Sequence, residues 1–94
     1  MKVVYRLEAL ADLNNHLSYI ASDDPSAASR AASRIRLAIS RLEMFPYSGR
    51  PGVVPDTYEL VVPRLPYIAV YRITEYVEIV AVFHAAQDRR KGGA

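Results

Sequence analysis

Cysteine is absent from this 94-residue chain. That removes disulfides, thiol catalysis and thiolate metal sites, and it sits easily with a cytoplasmic location. Long apolar runs are missing too. None approaches the ~20 residues that a membrane helix needs, so no membrane partner is expected. Met1-Lys2 is followed by only Val3-Val4-Tyr5 before Arg6 and Glu8 break the run, which leaves no signal-peptide core. The chain has no phosphate-cradling glycine loop, no pair of histidines at ligand spacing and no nucleophile elbow. No metal or cofactor is therefore expected. Net charge is small: 12 Lys and Arg against 10 Asp and Glu give +2. A pI of 9.1 reached this way does not argue for nucleic acid, and no direct sequence-specific nucleic acid binding is expected.

What the chain does have is ordinary globular composition, 51% apolar and 23% charged, so disorder is not expected. Its length suits one domain over residues 1–94, with 89–94 expected as a flexible tail. The stretch Tyr58 to His84 organises the rest. It holds three runs rich in Val, Ile and Tyr, separated by short breaks at Pro63–Pro66 and at Thr74-Glu75. β-branched and aromatic residues suit a pleated, half-buried surface, so each run reads as a strand. Neither break can hold a crossover helix, so the pairing should be an antiparallel meander. Tyr67, Ala69, Tyr71 and Ile73 then share one face of the middle strand, and Ile68, Val70 and Arg72 the other. Both faces are largely apolar, so something should cover each of them.

Upstream, Lys2 to Arg6 is a short strand that should join the same sheet. Leu10, Leu13, Leu17 and Ile20 recur at three- and four-residue steps, the spacing of an amphipathic helix, with Asp12, Asn15, His16 and Ser18 elsewhere on its circumference. Asp24 can cap a second helix whose first position suits Pro25. That helix should run to about Met44, with Ala28, Ala31, Ile35, Ala38, Ile39 and Leu42 as its core stripe. Arg30, Arg34 and Arg41 share another side, because steps of four and seven nearly superimpose on a 3.6-residue period. That side is either a solubilising face or a docking surface for an acidic partner. Phe45 to Thr57, with three prolines and two glycines, reads as a long loop. The predicted fold is α+β, a helical hairpin packed on a small, mainly antiparallel sheet, in the order β-α-α-β-β-β.

Two histidines are the candidates for chemistry. His16 reads as a surface or boundary residue. His84 ends an apolar strand beside the basic segment Asp88 to Lys91. There it can serve as a general base, or it can hold the C-terminal segment by hydrogen bonding.

An ordered set of short motifs runs along nearly the whole chain. It comprises Ala11-Asp12-Leu13 with Ile20, Leu42-x-x-x-Pro46-x-x-Gly49-Arg50 and Glu59-Leu60-Val61-Val62. Tyr67-Ile68-x-Val70-Tyr71-Arg72 follows, then Val77-Glu78-Ile79 to His84-x-Ala86-Gln87-Asp88. In this order and spacing the set resembles the ParE/RelE superfamily, the toxin halves of bacterial type II toxin–antitoxin pairs. The specificity lies in the ordered set and not in any one motif. The resemblance implies the helical hairpin and small sheet already read from periodicity. It also implies growth inhibition in the bacterial cytoplasm, a plasmid-stabilisation type of role, and a hetero-oligomer with a cognate antitoxin protein.

The superfamily has two functional branches. RelE-like members cut messenger RNA on the ribosome with basic and acid/base side chains on the exposed sheet face. Such a site needs cations to hold the phosphate and a group to move protons. An approximate alignment puts Glu59, Val61 and Ile68 where that branch carries basic residues, leaving Arg64, Arg72 and His84 as its catalytic candidates. ParE-like members poison DNA gyrase and do not cleave RNA; this chain resembles them better. The expectation is thus a ParE-type toxin, a DNA gyrase inhibitor acting by binding and not as an enzyme. An endoribonuclease of RelE type and a degenerate relative that only binds its antitoxin are the alternatives. One departure bears on potency and target: Tyr58 stands where many relatives carry arginine. Expected antitoxin contacts are Arg30, Arg34, Arg41, Arg64, Ile68, Val70 and Arg72, with Ile68 and Val70 on the sheet face that the hairpin leaves open. Expected target contacts are His84, Asp88, Arg89 and Arg90.

Overall fold

Asp24 and Pro25 divide the helical half of the chain. The Asp24 carboxylate accepts a hydrogen bond from the Ala27 amide at 3.1 Å, and Pro25 takes the first helical position. Around this break the computed structural model, which describes residues 1–87, folds in the predicted order. Strand β1 (Val3–Tyr5) leads into helix α1 (Leu7–Asp23), and helix α2 (Pro25–Ser40) ends in a 3-10 turn (Arg41–Glu43). Strands β2 (Arg50–Pro51), β3 (Tyr58–Val61), β4 (Tyr67–Ile73) and β5 (Val77–His84) follow. Asp88, Arg89, Arg90 and the expected tail at 89–94 lie outside the described residues.

The strands form one sheet in the order β1-β5-β4-β3-β2. Only β1 runs parallel to its neighbour, which the hairpin between β1 and β5 makes possible; every other pair is antiparallel. The fold is α+β, as the sequence indicated. One difference lies in the loop at Phe45–Thr57. Arg50 and Pro51 pair there with Glu59 and Tyr58 as a short edge strand. Glycine makes that approach possible: a Cβ at Gly49 would sit 2.6 Å from Tyr71 Oη and 2.8 Å from the Glu59 carbonyl oxygen.

The core lies between the hairpin and one sheet face. The whole predicted stripe is buried, from Ala28 to Leu42, and its Ile35, Ala38, Ile39 and Leu42 pack in one cluster with Tyr67, Ala69 and Tyr71 of β4 and Val77, Ile79 and Val82 of β5. α1 packs differently from its leucine spacing. Leu13 and Ile20 reach the core only partly, Leu10 stays half exposed, and the fully buried residue is Ala9. A small residue lets the helix approach the sheet, and it aims Asp12 and His16 at β5. The Val82 amide donates to Asp12 Oδ2 at 2.9 Å, and the Val82 carbonyl accepts from His16 Nε2 at 2.9 Å. β1 ends at Tyr5, so the outer edge of β5 has no strand beyond Ile79. Buried backbone groups must be paired, and at Val82 two helix side chains do what a missing strand would have done. His16 is therefore a half-buried boundary residue, as expected, with a structural hydrogen bond that the sequence did not indicate.

The opposite sheet face corrects a second expectation. Ile68 and Val70 were expected to form an open apolar patch, yet they are only 5% and 4% exposed. The register sets Val70 between Glu59 and Ala81, and Ile68 between Val61 and Phe83. Side chains of the flanking strands thus shield the central one, and Val70, Ala81 and Phe83 form a second small cluster. The apolar residue left open on this face is Val61, near the sheet edge.

Candidate functional site

Arg64 enters the site through its turn. Val62 to Leu65 connects β3 to β4, with Pro63 second and Arg64 third, closed by the Leu65 amide donating to the Val62 carbonyl at 3.3 Å. The Arg64 φ is 66°, the left-handed region. A turn of this pattern normally takes glycine or asparagine at that third position. The turn brings Arg64 to the end of α2, where Arg34, Leu37, Ala38, Arg41, Pro63 and Arg64 line a cleft of about 270 Å³. Two stretches more than twenty residues apart in sequence therefore place three guanidinium groups around one hollow. Leu37 is exposed there although it belongs to a packed helix. No carboxylate among the described residues pairs with any of the three arginines.

The other predicted antitoxin contacts do not join this cluster. Arg30 lies earlier on α2 and donates to Ser26 Oγ at 2.8 Å. Arg72 is exposed on the far sheet face, opposite Glu78 in the register. Glu78 accepts from the Thr74 hydroxyl at 2.8 Å and pairs with Arg6 at 3.4 Å. The Thr74 bond first, then Arg6 and Arg72, hold its carboxyl below the usual 4.5.

His84 pairs with Tyr67 across β5 and β4, on the helix side of the sheet. Its ring stands edge-on to the Tyr67 ring, centroids 5.7 Å apart, and Tyr67 in turn lies 4.9 Å from the His16 ring. The Ala86 amide donates to His84 Nδ1 at 3.2 Å, while the His84 amide donates to Gln87 Oε1 at 2.7 Å. His84 thus fastens the chain where it leaves the sheet, by accepting from an amide. Arg72 points from the opposite face, because β4 alternates between Tyr67 and Arg72. Arg64 belongs to the α2 cleft. The three residues that an RNA-cleaving site would need are in three separate places.

Tyr58, the departure from the family pattern noted above, belongs to an aromatic ladder. It stacks on Tyr71 at 5.4 Å and meets Tyr47 edge-on at 5.8 Å. Tyr71 Oη accepts from the Gly49 amide at 3.0 Å and donates to the Pro46 carbonyl at 2.8 Å. Burial pushes the Tyr71 phenol above the usual 10.0, opposed by the Gly49 bond and aided by Tyr58. Beside the ladder, Glu59 is 3% exposed and takes both Arg50 Nε and Nη2 on Oε1, at 3.2 and 3.1 Å. The carboxylate that the sequence set against a phosphate is thus already offset by a guanidinium group.

Sequence reasoning missed a second hollow. Tyr5, Leu10, Leu13, Leu17, Ala32, Ile35 and Arg36 line a groove of about 280 Å³ between the two helices and β1. The signal was present: a leucine stripe on α1 wider than a three-residue strand and an alanine-rich helix can cover. Among the described residues no cluster of three His, Asp or Glu side chains could hold a metal ion, and no helix is long and apolar enough to cross a membrane.

Residues 3–89 match the family described as the ParE toxin of the type II toxin–antitoxin system parDE. Y4kP of Sinorhizobium fredii, named as a candidate toxin, is 45% identical over 93% of this chain and 91% of its own. Toxin RelE2 of Caulobacter vibrioides is 37% identical over 92% of this chain and 97% of its own. In solved structures, a chain of the chromosomal ParDE toxin–antitoxin system from P. aeruginosa superposes with a TM-score of 0.82. It covers 89% of this chain and 95% of that one at 24% identity, a likeness of fold.

Proposed function

This chain belongs to the ParE toxin family of type II toxin–antitoxin systems, and we propose that it acts in the bacterial cytoplasm by binding DNA gyrase, without chemistry of its own. One observation carries this reading: Arg64, Arg72 and His84 do not converge. A phosphoryl-transfer site needs cations and a proton-moving group around one phosphate. Here His84 and Arg72 are on opposite sheet faces, and Arg64 is in the α2 cleft.

A cognate antitoxin neutralises the toxin in this reading. The P. aeruginosa relative of the fold comes from a ParDE toxin–antitoxin system. Two features of this chain suit a protein partner: the apolar groove between the helices and the three arginines at the end of α2, which no carboxylate among the described residues pairs with. Buried Ile68 and Val70 would contribute only if binding opened the second face. His84, with Asp88, Arg89 and Arg90 following it, remains the proposed target contact.

The likeness to Toxin RelE2 favours a second reading, a ribosome-dependent endoribonuclease. A relative that keeps antitoxin binding without toxicity is a third. Induced expression separates the three. Gyrase poisoning predicts filamentation and DNA damage, relieved by co-expressing a cognate antitoxin. An immediate stop in translation with cut messages would support the RelE reading, and unaffected growth the third.

A further inference from the structure

We propose that the cleft of Arg34, Arg41 and Arg64 over Leu37, Ala38 and Pro63 receives an acidic segment of the antitoxin. In it, carboxylates seat on the three guanidinium groups and an apolar side chain rests on Leu37. The inference rests on the antitoxin reading above and names the site and chemistry of one contact.

Two unfavourable arrangements meet at this spot. Three cations line one hollow, and no carboxylate among the described residues offsets them. Arg64 also holds a φ of 66°, which glycine would adopt without strain. A side chain kept in a sparsely populated backbone region, at a functional surface, points to a partner that compensates it. An acidic ligand relieves the like-charge repulsion directly, and planar guanidinium groups bind carboxylates in two-point fashion.

The hollow also discriminates between kinds of ligand. At about 270 Å³ it falls at or below the ~300–1,000 Å³ of small-molecule sites, so it suits individual side chains and not a cofactor. No aromatic side chain lines it. Single-stranded nucleic acid binds through bases stacked on such rings, whereas Leu37, 56% exposed, offers a seat for an aliphatic residue. An acidic, leucine-bearing peptide segment matches both features.

The test titrates the cognate antitoxin against the full chain and its R34E, R41E, R64E and R64G variants, at low and high salt. Thermal midpoints are measured on each free variant. Charge reversal should weaken the complex about tenfold or more per site, with a shallower salt dependence. Glycine at position 64 should weaken binding while the thermal midpoint holds or rises, because the turn is relieved as the charge is lost. A purely structural Arg64 would not separate those two readouts. Affinity unchanged within about twofold in both R41E and R64G would overturn the inference and leave the antitoxin reading standing. Failure of the wild-type chain to bind the antitoxin would overturn both. A short single-stranded RNA that bound through the same three arginines, more tightly than the antitoxin, would replace the acidic segment with nucleic acid.

Discussion

Asp12 and His16 show how much of the account turns on single side chains. Each satisfies one backbone group of Val82, and truncation would leave that group buried without a partner. Asp12→Ala and His16→Ala should each cost about 1–3 kcal/mol in denaturant unfolding, although an aliphatic or surface reading of either position predicts almost nothing. Leu42 is 0% exposed, and Leu42→Ala should cost ~2–5 kcal/mol in the same experiment. The roles of Asp12 and His16 were not legible in the sequence, because the edge of β5 becomes bare only once β1 stops at Tyr5. The buried stripe of α2 was legible in full, because a 3.6-residue repeat of apolar residues has one economical way to pack.

Elements differ in how far local pattern decides them. The N-cap of α2 and the three strands of the meander follow from residues within a few positions of each boundary and formed where expected. α2 itself ends at Ser40, short of the expected Met44, and gives way to a 3-10 turn. β2 did not announce itself, since Arg50 and Pro51 have no strand propensity and pair only because Gly49 lets Tyr71 and the Glu59 backbone come close. Gly49→Ala should therefore destabilise the Pro46–Pro51 segment, read as faster hydrogen exchange at Arg50 and Glu59, with α1 and α2 unchanged. The cleft at the end of α2 was half legible. The arginine side of the helix shows in the sequence, but a left-handed Arg64 reaching it from another segment does not. The expectation at Ile68 and Val70 failed for a related reason: alternation assigns residues to a face, while shielding by β3 and β5 decides whether that face is open.

For the molecule as a whole, charge and burial set a pH window. Burial raises the phenols of Tyr5, Tyr67 and Tyr71 above 10.0 in the folded chain. Their stabilising contribution is full below that value and is lost as pH rises through the folded-state values. Glu78 is lowered from 4.5, so its contribution is present above that value and is lost as pH falls through the folded one. Thermal midpoints should accordingly fall at both ends, and a Tyr71→Phe chain should show a weaker alkaline loss. The fold and the family were readable from the order of motifs. The cleft proposed for the partner was readable only as separate arginines, because distant segments meet to form it. At this scale the central claim is that the toxin works by occupying a protein target. The most direct measurement is supercoiling by purified DNA gyrase titrated with the purified toxin, then with the toxin premixed with its antitoxin. The account predicts dose-dependent inhibition that the antitoxin reverses and that survives His84→Ala in a folded chain. Unaffected gyrase, together with ribosome-dependent mRNA cleavage abolished by His84→Ala, would contradict it.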